Sequence, residues 1–161
     1  MFKKLLVGVD GSEHSMKALE TALKLAEVYE AELFVFHAIH HHMNLPFFPL
    51  ETDDDPRTKP TLFRITYQSS IQDIYMDSGS KIMEFAKQQV ANMDKDGKIP
   101  THYVLETDLP PPEAIEDFTR ANRIDLVILG CIGQHSALRN AIGTTVTRVV
   151  NSAPCPVLIV R

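Results

Sequence analysis

Gly130, Gly133 and Gly143, with Thr144 and Thr145 directly after, are the residues whose types and spacing best suit chemistry in this 161-residue chain. Two residues separate the first pair of glycines, and nine separate Gly133 from Gly143. Glycine carries no Cβ, so a ligand can come close to its backbone N–H groups. A helix that starts beside such a loop adds aligned N–H groups and a partial positive charge, which suit phosphate. The Thr144 and Thr145 hydroxyls add donors and could also meet a phosphate-bound cation. The pattern therefore points to a phosphorylated small molecule. Neither G-x-x-x-x-G-K-[ST] nor G-x-G-x-x-G occurs, so P-loop and dinucleotide-binding readings lose their main support.

Other residues near the motif have two readings each. His135 lies inside the loop. Arg139 is either a bidentate phosphate partner or a solvated loop charge. Asp10 is either a nucleotide contact or a turn residue ahead of the first helix. Cys131, set between the glycines with no cation beside it, reads as a buried thiol. His37 reads as a packed strand residue. His40, His41 and His42 are consecutive, so on an extended segment they alternate sides and do not form a metal site by themselves. No metal ligands and no catalytic residues are assigned. The loop from Gly130 to Thr145 holds no carboxylate pair and no lysine for fast phosphoryl transfer, and no Ser-His-Asp set is apparent.

The elements that would position these residues alternate along the chain. Apolar runs at Lys4 to Val9, Leu33 to Ala38, Thr101 to Glu106, Ile124 to Leu129 and Pro156 to Val160 read as strands. Between them lie helical patterns. Met16, Leu19, Leu23 and Ala26 mark the first, with Ser12 as its N-cap. The second runs from about Ser69 to Asp96-Gly97 on Ile71, Ile74, Tyr75, Ile82, Phe85, Ala86, Gln89, Val90 and Met93, with Gly79 as an interruption. Pro110-Pro111-Pro112 opens the third, with Ala114, Ile115 and Phe118 inward. Thr144 to Asn151 forms the fourth, with Val146, Val149 and Val150 inward. Residues 40 to 68, rich in proline and carrying Asp53-Asp54-Asp55, read as a loop-like excursion whose Met43, Pro46, Phe47, Phe48 and Leu50 form an apolar cluster.

This βαβ alternation, with continuous apolar strands, predicts one α/β domain over residues 1–161 built on a parallel sheet. Ligands of such sheets bind at the carboxyl ends of strands, here at Val9-Asp10-Gly11-Ser12, around Ala38 and at the glycine loop. A net charge of −5 without a dense basic cluster excludes a nucleic-acid partner from the expectations. No apolar run approaches the ~20 residues of a membrane helix, and the opening run breaks too early for a signal peptide. Two cysteines make no redox or metal motif, and a cytoplasmic location is expected.

The full pattern resembles the universal stress protein family, in its ATP-binding class. That family's G-x2-G-x9-G-[ST] motif stands here as Gly130, Gly133, Gly143 and Thr144. The opening Leu6-Val7-Gly8-Val9-Asp10-Gly11-Ser12, the run Ile124 to Gly130 and the ending Ala153-Pro154-Cys155-Pro156-Val157-Leu158-Ile159-Val160 match as well. Outside residues 40 to 68 the likeness covers nearly the whole chain. It implies a five-stranded parallel sheet in the order 3-2-1-4-5, with helices on both faces. It implies ATP, or AMP or ADP, with Mg or Mn at the phosphates. Adenine would lie against Asp10 and Ala38. Ribose and phosphates would meet Gly8, Val9, Leu129, Gly130, Gly133, Gly143, Thr144 and Thr145. It also implies a homodimer through Val157 to Val160, and a regulatory protein with slow or no hydrolysis. The chain departs from the family at Thr107-Asp108-Leu109-Pro110, where a Gly-x-Pro step is common.

Overall fold

The computed structural model describes residues 1–39, 60–132 and 142–161, with side chains in the second helix from residue 76 onward. Its elements in chain order are β1 (Lys4–Gly8), α1 (Glu13–Tyr29), β2 (Glu32–Ala38), α2 (Pro60–Met93), β3 (Thr101–Glu106), α3 (Pro111–Asn122), β4 (Leu126–Gly130), α4 (Thr144–Ser152) and β5 (Val157–Val160). All five strands pair in parallel, in the order β3-β2-β1-β4-β5, as the family resemblance implied.

Side-chain alternation along the strands splits the core into two layers. Leu5, Val7, Val9, Leu33, Val35 and Ile128 point to one face, where Leu19, Ala22, Leu23 and Ala26 of α1 and Met83, Ala86 and Val90 of α2 cover them. Leu6, Phe36, Val127 and Leu129 point to the other, beneath Ala114 and Ile115 of α3 and Val146 and Val149 of α4. Burial on both faces explains why these strands are apolar throughout. The fully buried leucines and valines each contribute on the order of 1.5–3 kcal/mol from the area they remove from water. At the amino-terminal edge Asp125 clasps the sheet, accepting from the Lys3 and Lys4 N–H groups at 2.8 and 2.9 Å. That explains the one charge in an otherwise apolar run.

Several expectations need correction. The excursion does not extend to residue 68, because α2 begins at Pro60 and is 34 residues long, about 51 Å. Gly79 does not interrupt it. The helix passes straight through, and a Cβ there would meet the Ile39 side chain at 2.7 Å, so the glycine lets α2 lie close on the end of β2. In the described part of α2 the buried positions are Gly79, Met83, Ala86 and Val90, while Phe85 and Met93 are exposed. Val150 of α4 also faces solvent rather than the core. β1 ends at Gly8, and β4 runs from Leu126 to Gly130, shifts of one or two residues. The His40–His42 run and the apolar cluster at Met43 to Leu50 lie outside the described residues. No helix among the described residues is long and apolar enough to cross a membrane.

Two glycines in the sheet differ in what they tolerate. A Cβ on Gly130 would sit 2.5 Å from the His14 carbonyl carbon and 2.6 Å from the Ser15 nitrogen, both backbone atoms of α1. A Cβ on Gly8 would meet the tip of the Leu129 side chain at 2.6 Å, which can rotate away. Gly130→Ala should therefore destabilise the fold by about 1–3 kcal/mol in chemical denaturation, the range for overpacking. Gly8→Ala should stay within about 1 kcal/mol of the native chain. Equal effects at the two sites would refute the distinction between backbone and side-chain contact.

Candidate functional site

The strand order fixes where a ligand can sit. β1 is followed by β2 on one side, while β4 lies on its other side, so winding reverses between β1 and β4. At the carboxyl ends of those two strands the loops diverge to opposite faces and leave a crevice. Val9-Asp10 and Gly130-Cys131 flank it. Ala38, at the end of β2, lies one strand further out. Gly8 pairs with Phe36 on one side and Leu129 on the other. The side chains of Val9 and Leu129 are buried, whereas Gly8, Asp10, Ala38 and Gly130 are half-buried.

The turn after β1 is held by its own polar side chains. The Ser12 N–H donates to Asp10 Oδ1 at 3.0 Å, and the Ser12 hydroxyl lies 2.6 Å from the same oxygen. Gly11 takes a φ of 81°, the left-handed region where glycine is favoured. Ser12 is the N-cap of α1, as the sequence predicts, its Oγ accepting from the Ser15 N–H at 3.2 Å. The buried Ser15 hydroxyl donates to the Ser12 carbonyl at 2.9 Å and accepts from the Asp10 N–H at 3.3 Å. Asp10 thus acts as a turn residue, which leaves a nucleotide contact at this residue as a separate question.

His37 adds a support the sequence did not single out as such. Its Nδ1 donates to the Val9 carbonyl at 2.7 Å, joining β2 to the turn after β1. Packing of this ring in the strand agrees with the sequence reading. Burial lowers its pKa below the usual histidine value, an effect opposed by the Val9 hydrogen bond and by the Asp10 charge.

On the opposite side of the crevice, Gly143 donates its N–H to the Cys131 carbonyl at 2.8 Å, and the Cys131 N–H donates to Val160 at 2.8 Å. The two ends of the glycine loop are thereby pinned together beside β5. Cys131 is buried, as expected. Gly143 is the N-cap of α4 with φ −60° and ψ 151°, a backbone conformation open to any residue, and no side chain caps the helix there. Thr144 and Thr145 open the helix, the former exposed and the latter half-buried.

Electrostatics separate α4 from its neighbours. α1 carries Glu13 in its first turn behind the Asp10–Ser12 network. α3 carries Glu113 in its first turn, and Glu106 Oε1 accepts from the Thr107 and Asp108 N–H groups at 2.9 and 2.8 Å. That carboxylate holds the turn where the family often has glycine. α4 has no acidic residue in its first turn. Unlike the α1 and α3 ends, its positive end carries no carboxylate of its own and suits an external anion; α2 likewise has no acidic residue in its first turn.

The structure thus brings Gly8, Val9, Asp10, Ala38, Leu129, Gly130, Gly143, Thr144 and Thr145 to the carboxyl edge of one sheet. Gly133, His135 and Arg139 lie outside the described residues. Among the described residues no group of three or more His, Cys, Asp or Glu is placed to hold a metal ion. Ser12 and His37 brace the turn after β1, which glycine spacing could not reveal. A hydroxyl two residues after a strand-end aspartate was the available signal for the first.

Comparison with known proteins gives a consistent outcome. The pattern of the universal stress protein family matches residues 1–161. The universal stress protein YxiE of Bacillus subtilis is 29% identical over 166 residues, covering 100% of both chains. Among solved structures, UspA from Lactobacillus plantarum superposes with a TM-score of 0.76 at 22% identity, covering 99% of this chain and 98% of that one. A universal stress protein from Archaeoglobus fulgidus, in complex with dAMP, superposes with a TM-score of 0.62 at 18% identity, covering 100% and 98%.

The His37 environment has a consequence for stability. A histidine whose folded pKa lies below its unfolded value near 6.5 binds fewer protons when folded, so its stabilising effect is present above pH 6.5 and lost as pH falls through the folded pKa. Denaturation across pH 7.5 to 5 should show this loss. His37→Asn, whose amide can donate to Val9 without titrating, should flatten it. An unchanged slope in that variant would show that other groups set the pH dependence.

Proposed function

The chain belongs to the universal stress protein family, and on that premise we propose that it is an ATP-binding regulatory protein that hydrolyses its nucleotide slowly or not at all. One observation carries the reading. The α4 N-terminus opens on Gly143 without a side-chain cap or a first-turn carboxylate, next to Gly130 at the winding reversal of the sheet. The backbone conformation at 143 is open to any residue, and a glycine there lets a ligand approach the helix end without a side chain in the way. The dAMP complex of the Archaeoglobus relative supports an adenine nucleotide as that ligand.

In this reading the phosphates lie at the α4 N-terminus and the glycine loop, among Gly130, Gly133, Gly143, Thr144 and Thr145. His135 and Arg139 are the side chains of the loop sequence assigned to them. Adenine lies against Asp10 and Ala38, and ribose against the backbone of Gly8, Val9 and Leu129. A Mg or Mn ion would travel with the phosphates and take a threonine hydroxyl. The absence of carboxylate pairs and lysines from the loop sequence favours holding a triphosphate over cleaving it. Conformation or partner choice set by the bound nucleotide is then the output. β5 is an edge strand with half-buried Val157, Leu158, Ile159 and Val160, and antiparallel pairing with a second copy would cover it. A cytoplasmic location belongs to the same reading.

Mass spectrometry of ligand released from the purified protein should find an adenine nucleotide, and calorimetry should register ATP binding. Failure of both would defeat the reading. Gly143→Val should weaken ATP binding at least about tenfold, the loss of roughly one favourable polar contact, while circular dichroism and melting stay close to native. Undiminished affinity in that variant would remove α4 from the site.

A further inference from the structure

Ser12 does more than cap α1. Its Oγ accepts from the Ser15 N–H at 3.2 Å, lies 2.6 Å from Asp10 Oδ1, and lies 3.3 Å from the carbonyl oxygen of Ile132. A hydroxyl has one proton, so the carboxylate and the carbonyl share it. The shorter distance makes Asp10 the main acceptor, and Ile132 takes the second branch. Ile132 is two residues beyond Gly130 and 120 positions from Ser12 in sequence, so the contact ties the turn after β1 to the loop after β4. The next residue back, Cys131, accepts from the Gly143 N–H at 2.8 Å. A short chain of hydrogen bonds and backbone therefore runs from Asp10 through Ser12 to the glycine loop and on to Gly143, the N-cap of α4.

We propose that Ser12 is a positioning residue of the nucleotide site, holding the adenine-side turn and the phosphate-side loop in one fixed relation. The proposal rests on the nucleotide reading above for its ligand, but the tether itself belongs to the nucleotide-free protein. Gly130 fixes the end of β4 against α1, and the Ser12–Ile132 contact adds a polar hold on the chain just beyond it.

Glycine at an N-cap keeps most of the stabilisation that serine gives, whereas alanine loses it. That separates capping from tethering. Ser12→Ala and Ser12→Gly should both weaken ATP binding by about fivefold to tenfold in calorimetry, the size of one lost polar contact. Ser12→Thr, which keeps the hydroxyl, should bind within about twofold of native. In the nucleotide-free protein, amide exchange at Gly143 should quicken in the alanine and glycine variants and remain native-like in the threonine variant. ATP affinity in Ser12→Gly equal to native would overturn the proposal, as would a Gly143 exchange rate unmoved by that substitution. If native protein binds no ATP, the nucleotide reading fails, and the exchange comparison alone still decides whether Ser12 holds the loop.

Discussion

The contact between Gly130 and the first turn of α1 is the constraint on which the rest of the site depends. β4 leaves the sheet directly beneath the backbone of His14 and Ser15, with no room for a side chain between them. The approach brings the start of α1, the turn after β1 and the loop after β4 into one place. Ser15 becomes buried there, its hydroxyl serving the turn, and Ser12 comes within reach of Ile132. The first glycine of the motif is therefore fixed by packing, with or without a ligand. Gly143 stands in the opposite case, since its backbone conformation makes no demand for glycine. One motif combines a glycine fixed by close packing with another whose backbone conformation is open to any residue.

Charge follows the same division. An acidic chain with a net charge of −5 would ordinarily repel a triphosphate. Local arrangement offsets this. The α1 and α3 entries are occupied by the protein's own carboxylates, Asp10 and Glu13 at one, Glu106 and Glu113 at the other. α4 begins without one. The helix dipole acts within a turn of the helix end, so this local difference weighs more than distant surface charge. Carboxylate placement thus sets the α4 entry apart from those of α1 and α3, while α2 shares its lack of a first-turn acid.

Most of the fold was legible in the sequence because buried parallel strands are apolar throughout and the helices between them carry a regular stripe. The five strands came out within two residues of their observed ends for that reason. The start of α2 was not legible, since Pro56 and Pro60 look like loop residues and a proline at a helix's first position leaves no local mark to tell the two apart. Gly79 misled for a related reason. Its role is contact with Ile39, which lies far away in sequence, so intrinsic propensity argued for a break that tertiary packing overrides. Phe85 and Val150 were placed inward because they are apolar, although an apolar residue on a surface is unremarkable in energy. In the site, glycine spacing marked the loop, but Ser12 and His37 act through partners on other elements, and no spacing along one strand or helix encodes that.

The pinned ends of the glycine loop explain how such a motif can sit on a rigid sheet. The Cys131 carbonyl and the Gly143 N–H close the loop at its base, and the Cys131 N–H fixes that base to Val160 of β5. Closure entropy is met at the base by these bonds, and grows only slowly with the length enclosed. A change at this base reaches β5, α4 and, through Ser12, α1 together. The half-buried edge strand that would pair with a second copy is thus joined by hydrogen bonds to the loop that would hold the phosphates. A ligand held at the loop would bear on β5 through the Cys131–Val160 bond at its base. Coupling of nucleotide to assembly in this fold would then run through backbone bonds at the sheet edge, with the buried leucines and valines serving as the fixed frame against which it acts.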